Sequence, residues 1–162
     1  MSKSGEERVR QVEGLITKHK LEAETLWHRG RAVLSLEDAM NVLNIGPENV
    51  LKCLLLKDRK GKTVGVIAPG DVRIDMKKLE RAAGVRKPRF MKEEELIDRF
   101  GVEPGGIDPL TLPQRVEMVF VERTLLEKDY VIGSAGSRYC GLRIRPKEIL
   151  RIVEAKVVYL AK

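Results

Sequence analysis

Residues 50–68, VLKCLLLKDRKGKTVGVIA, decide how the fold is read. Val50 to Lys57 is a short, nearly continuous apolar run that suits a buried strand. Asp58 to Lys62 is a polar turn, and Thr63 to Ala68 is a second β-branched, apolar run, so the pair predicts a β-hairpin. Lys52 breaks the first run. In a strand it shares a face with Val50 and Leu54, opposite Leu51, Cys53 and Leu55. A charge there is costly unless it is paired or opens on a cleft; the alternative is a stem that snorkels at a strand end or edge.

Working outward, Glu6 to Lys18 carries Val9, Val12, Leu15 and Ile16 at helical spacing and predicts an amphipathic helix, with His19 at its C-terminal end. Thr25 to His28 predicts a short strand. His28 is read as a surface or satisfied histidine, because no partner lies at metal-ligand spacing. Ser35 caps a helix with Ala39, Met40, Val42 and Leu43 as its apolar face, ended by Gly46-Pro47. Downstream of the hairpin, Pro69-Gly70-Asp71 is a tight turn. Asp75 caps a helix that runs to Ala83 and stops at Gly84. Lys77, Lys78, Arg81, Arg86, Lys87 and Arg89 give this part a basic face, either a solvated surface or a track for a phosphate backbone. Lys92 to Phe100 predicts a short helix with Leu96, Ile97 and Phe100 inward. Val116–Val121, Asp129–Ile132, Gly141–Arg145 and Lys156–Leu160 predict further strands, and Pro146 opens a last helix. Hairpins are too frequent for a doubly wound parallel sheet. The expected fold is a single α/β domain of the α+β type, with a mixed, mostly antiparallel, barrel-like sheet flanked by helices.

Two stretches read as pocket walls. Gly101 to Pro113, GVEPGGIDPLTLP, has three glycines and three prolines, which make a stiff loop whose backbone can approach another molecule. Val102, Ile107, Leu110 and Leu112 argue against disorder in it. Gly133-Ser134-Ala135-Gly136-Ser137 reads as a turn of small residues with free backbone N–H groups, able to receive an oxyanion, a phosphate or a ribose, or as a plain hairpin loop.

The chain has 162 residues, 43% hydrophobic and 34% charged, which suits one globular domain. No apolar run reaches membrane-spanning length, and the charged N-terminal stretch is not a secretory signal, so the expected location is the cytoplasm and no membrane partner is expected. Cys53 and Cys140 are expected to be free. A net charge of +7 suits a polyanionic partner, while 4% aromatics argues against a platform that stacks several bases. Amides are confined to Gln11, Gln114, Asn41, Asn44 and Asn49; scarce amides beside abundant charge form a thermophile-like pattern.

None of the phosphate-loop, dinucleotide-binding, zinc-protease or serine-hydrolase signatures occurs. What remains is a site of backbone, two glycine-bearing segments and Lys52, sufficient to bind and polarise an ester. The order VLKCLLLK, a strand ending PGD, DMKKLERAAG, GVEPGGIDPL, YVIGSAG and PKEILRI resembles the YbaK/EbsC family, also called the prolyl-tRNA synthetase editing-domain family, over roughly Ser35 to Leu160.

The resemblance implies that fold and, for function, a freestanding aminoacyl-tRNA deacylase that hydrolyses the ester of a mischarged tRNA without a cofactor. It names the 3′ aminoacyl end of that tRNA as the partner, with an aminoacyl-tRNA synthetase as a further one. It places the family's essential lysine on Lys52. Its G-x-x-x-P loop falls on Gly105, Gly106, Ile107, Asp108 and Pro109 as the catalytic loop, with Gly101 and Leu110 beside it as substrate contacts. The border of the aminoacyl pocket falls on Gly133, Ser134, Ala135 and Gly136. Asp108 stands where serine is frequent in relatives, and Ser134-Ala135 where paired glycines are frequent. A non-catalytic tRNA-binding module and a hydrolase of small esters are the competing readings.

Overall fold

The computed structural model describes residues 3–162. The hairpin forms as the sequence predicts. Strands β2 (Leu51–Lys57) and β3 (Thr63–Pro69) pair antiparallel, with Leu51 opposite Pro69 and Lys57 opposite Thr63. Asp58 closes the turn by accepting the Lys60 and Lys62 N–H groups at 2.9 and 2.8 Å. Around this pair lies a five-stranded sheet: β4 (Arg89–Phe90) edges β2, while β5 (Met118–Glu122) and β8 (Lys156–Val158) extend β3 in parallel. Parallel neighbours require long crossovers. The β3-to-β5 crossover carries α3 (Met76–Ala83), β4, α4 (Glu93–Phe100) and the glycine-proline loop; the β5-to-β8 crossover comprises residues 123–155.

A second, three-stranded antiparallel sheet has the order β1 (Ala23–Trp27), β7 (Cys140–Ile144), β6 (Val131–Ser137). A parallel bridge from Val50 to Ile132 joins the two sheets at the start of β2. The architecture is therefore mixed and mostly antiparallel, as expected; its curvature comes from two open sheets meeting, not from one closed barrel.

Alternation along β2 divides the core. Leu51 and Leu55 face a cluster shared with the second sheet (Leu142, Ile144) and with Val9 and Val12 of α1 (Lys3–His19). Leu54 and Leu56 face Leu79 and Ala83 of α3. Strand β3, covered on both sides, is buried at every position. The helix starts carry the expected caps: Ser35 Oγ accepts the Asp38 N–H at 3.1 Å ahead of α2 (Leu36–Leu43), and Asp75 accepts from Lys77 and Lys78 ahead of α3. Pro146 opens α5 (Pro146–Ile152). No described helix is long and apolar enough to cross a membrane.

Two expectations need correction. The segment Gly133-Ser134-Ala135-Gly136-Ser137 is not a turn; β6 runs through it, and the chain reverses at Arg138-Tyr139. Small residues are needed there because β6 lies against β2 and α1: a Cβ on Gly133 would sit 2.8 Å from Leu51 Cδ2, and one on Gly136 would sit 2.6 Å from Arg8 Cβ. Ile97 is 47% exposed, not inward; α4 is short and covers the core with Leu96 and Phe100 only.

Candidate functional site

A cleft of ≈ 280 Å³ opens where β2 begins, at the junction of the two sheets. Strand ends and the segment before α2 supply its walls. Lys52 is contributed by β2, Gly105 and Ile107 by the glycine-proline loop, and Gly133 and Ser134 by β6. These five residues, far apart in sequence, are the part of the expected site that the fold brings together.

Lys52 resolves as a half-buried cation. Its Nζ donates to the Val72 carbonyl and, at 3.5 Å, to that of Gly70, so it braces the turn after β3 while one of its three protons stays uncommitted. Burial holds its pKa below the ordinary lysine value, and the nearby Asp71 carboxylate offsets part of that. The charge is thus kept in a place where it costs solvation, which raises its strength toward any oxyanion or phosphate nearby.

The loop from Gly105 is fixed from three sides. Gly105 has φ +82°, and a Cβ there would lie 2.4 Å from the Val33 carbonyl, so the loop backbone is pressed against the segment that precedes α2. Arg138, at the β6–β7 turn, donates from Nε to Glu103 at 3.1 Å. Asp108 is fully buried and accepts three bonds from its own loop: Leu110 N–H at 2.9 Å, Thr111 N–H at 2.8 Å and the Thr111 hydroxyl at 2.6 Å. Leu110 and Leu112 anchor the far side in the main core, each worth about 2 kcal/mol of burial. Gly105→Ala should therefore displace the loop and lower stability by at least the roughly 1–2 kcal/mol of a left-handed residue. Thermal melting checks this; an unchanged melting temperature would show that the loop tolerates the shift.

The other expected site residues stand outside the cleft wall. Gly101 is the C-cap of α4, and its carbonyl accepts from Arg8 Nη2 at 2.7 Å. Gly106, Pro109, Leu110 and Ala135 are buried in the packing behind the loop and β6, and Asp108 turns inward to its own backbone. Gly136 lies against Arg8 of α1. Residues 133–137, expected to offer free N–H groups from a turn, instead lie within strand β6. Gly133 and Ser134 stand in ladder register with Leu142 and Gly141, and the Gly136 N–H bonds Ser134 Oγ at 3.0 Å.

Sequence reasoning missed the apolar wall. Leu34, Leu36 and Ala39 line the cleft, Leu34 and Leu36 with 52% and 39% of their surface exposed. The available signal was that Leu34-Ser35-Leu36 places two leucines around an N-cap, more than the helix face needs. His28 also lines the cleft, with Nδ1 2.7 Å from the Arg31 carbonyl. A carbonyl only accepts, so Nδ1 carries the proton and a neutral ring keeps its lone pair on Nε2.

Both cysteines are free, as expected, and both border the cleft. Burial raises the Cys53 thiol well above its ordinary value, with the Asp108 charge adding to it, and pushes Cys140 up to about 12. Neither is a thiolate nucleophile near neutral pH. Among the described residues no three His, Cys, Asp or Glu side chains are grouped to hold a metal ion.

Fold and cleft together define a class: an α/β domain with two open sheets, whose site pairs one desolvated lysine with a backbone loop and an apolar wall. The chain belongs to the aminoacyl-tRNA editing domain family, whose model matches residues 31–152. It is similar to the uncharacterized protein YwhH of Bacillus subtilis (strain 168), 26% identical over 140 residues that cover 82% of this chain and 88% of YwhH. It is also similar to the "Putative Cys-tRNA(Pro)/Cys-tRNA(Cys) deacylase EbsC" of Enterococcus faecalis (strain ATCC 700802 / V583), 26% identical over 145 residues that cover 88% of this chain and 87% of EbsC. Among solved structures, the hypothetical protein APE2540 superimposes with a TM-score of 0.84 at 25% identity, over 94% of this chain and 99% of that one.

Proposed function

We propose that this protein is a trans-acting deacylase that hydrolyses the ester joining a small amino acid to the 3′ end of a mischarged tRNA. The observation that carries the reading is Lys52, a half-buried cation on the wall of a cleft that Gly105 and Ile107 of the loop and the apolar Leu34, Leu36 and Ala39 also line. Membership of the editing-domain family supports the same reaction.

An aminoacyl ester is already activated, so orientation and electrostatic stabilisation lower its barrier without a protein nucleophile. Water adds to the ester carbonyl carbon. The oxygen becomes an oxyanion, the carbonyl re-forms, and the ribose oxygen leaves with a proton as the tRNA hydroxyl. Lys52 supplies positive charge for the oxyanion or for the terminal phosphate that anchors the 3′ end. His28, with Nε2 free to accept, is the side chain suited to take the proton from water. A cleft of ≈ 280 Å³ admits a short side chain, and discrimination by fit is worth only about 1–3 kcal/mol per methylene, the situation in which a separate editing step is useful.

A deacylation screen across mischarged tRNAs, run with the wild type and with Lys52→Ala, tests the reading. Release of amino acid from one or more of them by the wild type alone is the expected result. Salt-sensitive tRNA binding with no release anywhere in the panel would make the protein a non-catalytic module. Turnover of small esters at rates indifferent to tRNA would make it a small-ester hydrolase.

A further inference from the structure

We propose that a second, basic groove at the opposite end of the β2–β3 hairpin holds the phosphate backbone of the tRNA body, about 20 Å along the strand from Lys52. This rests on the deacylase reading only for the identity of the RNA. The groove, of ≈ 1060 Å³, lies between the hairpin turn and the segment that follows α3. Arg59, Lys60 and Lys62 come from the turn, and Arg86 and Lys87 from the segment.

The structure sorts the basic face that the sequence left undivided. Lys78 is committed, donating to the Ala161 carbonyl at 2.6 Å and lying 4.6 Å from the Tyr159 ring centroid; Arg89 is paired with Glu95. Of the other four, Arg86 and Lys87 line the groove and Lys77 and Arg81 do not; Arg86 and Lys87 join three cations of a strand turn that no local pattern connects with them. Among the described residues none of these five cations forms an ion pair. Three carboxylates share the groove, and two of them are engaged by backbone. Asp58 holds the hairpin turn, and Glu80 accepts the Lys87 N–H at 3.0 Å, fixing Lys87 at φ 46°. Glu117 is the third. No lining residue is apolar, which fits neither a membrane-inserting surface nor the core of a protein interface, where lysine is depleted. Clustered Lys and Arg on two braced connectors suit a chain of phosphates.

The test uses uncharged tRNA, so binding is read apart from catalysis. Lys60→Gln/Lys62→Gln and Arg86→Gln/Lys87→Gln should each weaken tRNA binding about ten-fold at low salt. Each pair should also flatten the slope of log affinity against log salt by about 1–2. Glu117→Gln should tighten binding. Hydrolysis of an aminoacyl ester of adenosine, which does not reach the groove, should be unchanged in all three. Wild-type affinity and slope in both double variants would overturn the proposal, as would weakened binding to anionic vesicles with tRNA binding intact. If the wild type deacylates tRNA and the variants bind it normally, the groove is wrong and the enzymatic reading stands. If the variants lose tRNA binding but the wild type releases no amino acid, the groove stands and the enzymatic reading falls.

Discussion

Lys52→Ala is expected to lower aminoacyl-tRNA deacylation by about 10²–10³-fold, the usual loss when one preorganised charge-stabilising donor is removed, while the protein stays folded. The two effects separate because of how the residue is held. Its side chain is half-buried with no carboxylate in contact, and its Nζ touches only the Gly70 and Val72 carbonyls. Burial lowers its pKa, which means that folding disfavours the charged form; Asp71 opposes this in part. The sign of the linkage follows. Between the lowered folded value and the ordinary lysine value of 10.5, the unfolded chain binds a proton that the folded chain has released, so this group's contribution to stability rises with pH across that window. Below the window the folded protein carries the solvation cost of the cation. Lys52→Met removes that cost but leaves two carbonyls without a donor, and the net change in stability should stay within about 1 kcal/mol. Single-turnover deacylation of the variants, corrected for spontaneous ester hydrolysis, and their melting temperatures are the measurements. Activity of the wild type should also fall on the alkaline side as Lys52 loses its proton, and this limb should vanish in Lys52→Met. A large drop in melting temperature in both variants, matched by the drop in activity, would instead make Lys52 a brace for residues 70–72.

Lys52 was legible because a charge inside an apolar run violates the local pattern, and a violated pattern marks a site or a strain. The hairpin, the helix caps at Ser35 and Asp75 and the final Pro146 helix were legible for the opposite reason, since each obeys a local rule. The rest of the site obeys local rules too and was therefore invisible. Leu36 and Ala39 lie on a helix with an apolar face, and nothing in that face distinguishes a cleft wall from a core. Gly133 and Gly136 read as a turn because small residues serve turns and close packing alike. Only the approach of Leu51 and of Arg8, 82 and 128 positions away, selects the second use. The Val50–Ile132 bridge, which joins the sheets and so creates the cleft, is likewise a long-range pairing that no local pattern announces. The loop at Gly105–Pro109 was found by composition, but composition did not say which of its residues face outward. Gly105 and Ile107 do; Asp108 does not.

Asp108 carries the second large effect. Its carboxylate receives two backbone N–H groups and a hydroxyl from the same loop, and Arg115 Nη1 lies 3.9 Å from its Oδ2. Two partly buried guanidiniums draw on it. Burial lowers the pKa of both Arg8 and Arg115, and in each the Asp108 charge is the first influence that opposes it. Asp108→Ala strands the three donors and removes the countercharge at once. Breaking a buried charged pair of this kind costs about 3–5 kcal/mol, and the melting temperature should fall by roughly 10 °C. Asp108→Asn keeps an oxygen for the Leu110 and Thr111 N–H groups but not the charge. Asp108→Ser keeps one short acceptor. The expected order of stability is wild type, Asn, Ser, Ala, with deacylation falling in the same order, because Gly105 and Ile107 are positioned by the loop that Asp108 ties. That parallel fall is what distinguishes a positioning residue from a catalytic one. An Asn variant that melts like the wild type yet is as inactive as the Ala variant would place the carboxylate charge in the reaction itself.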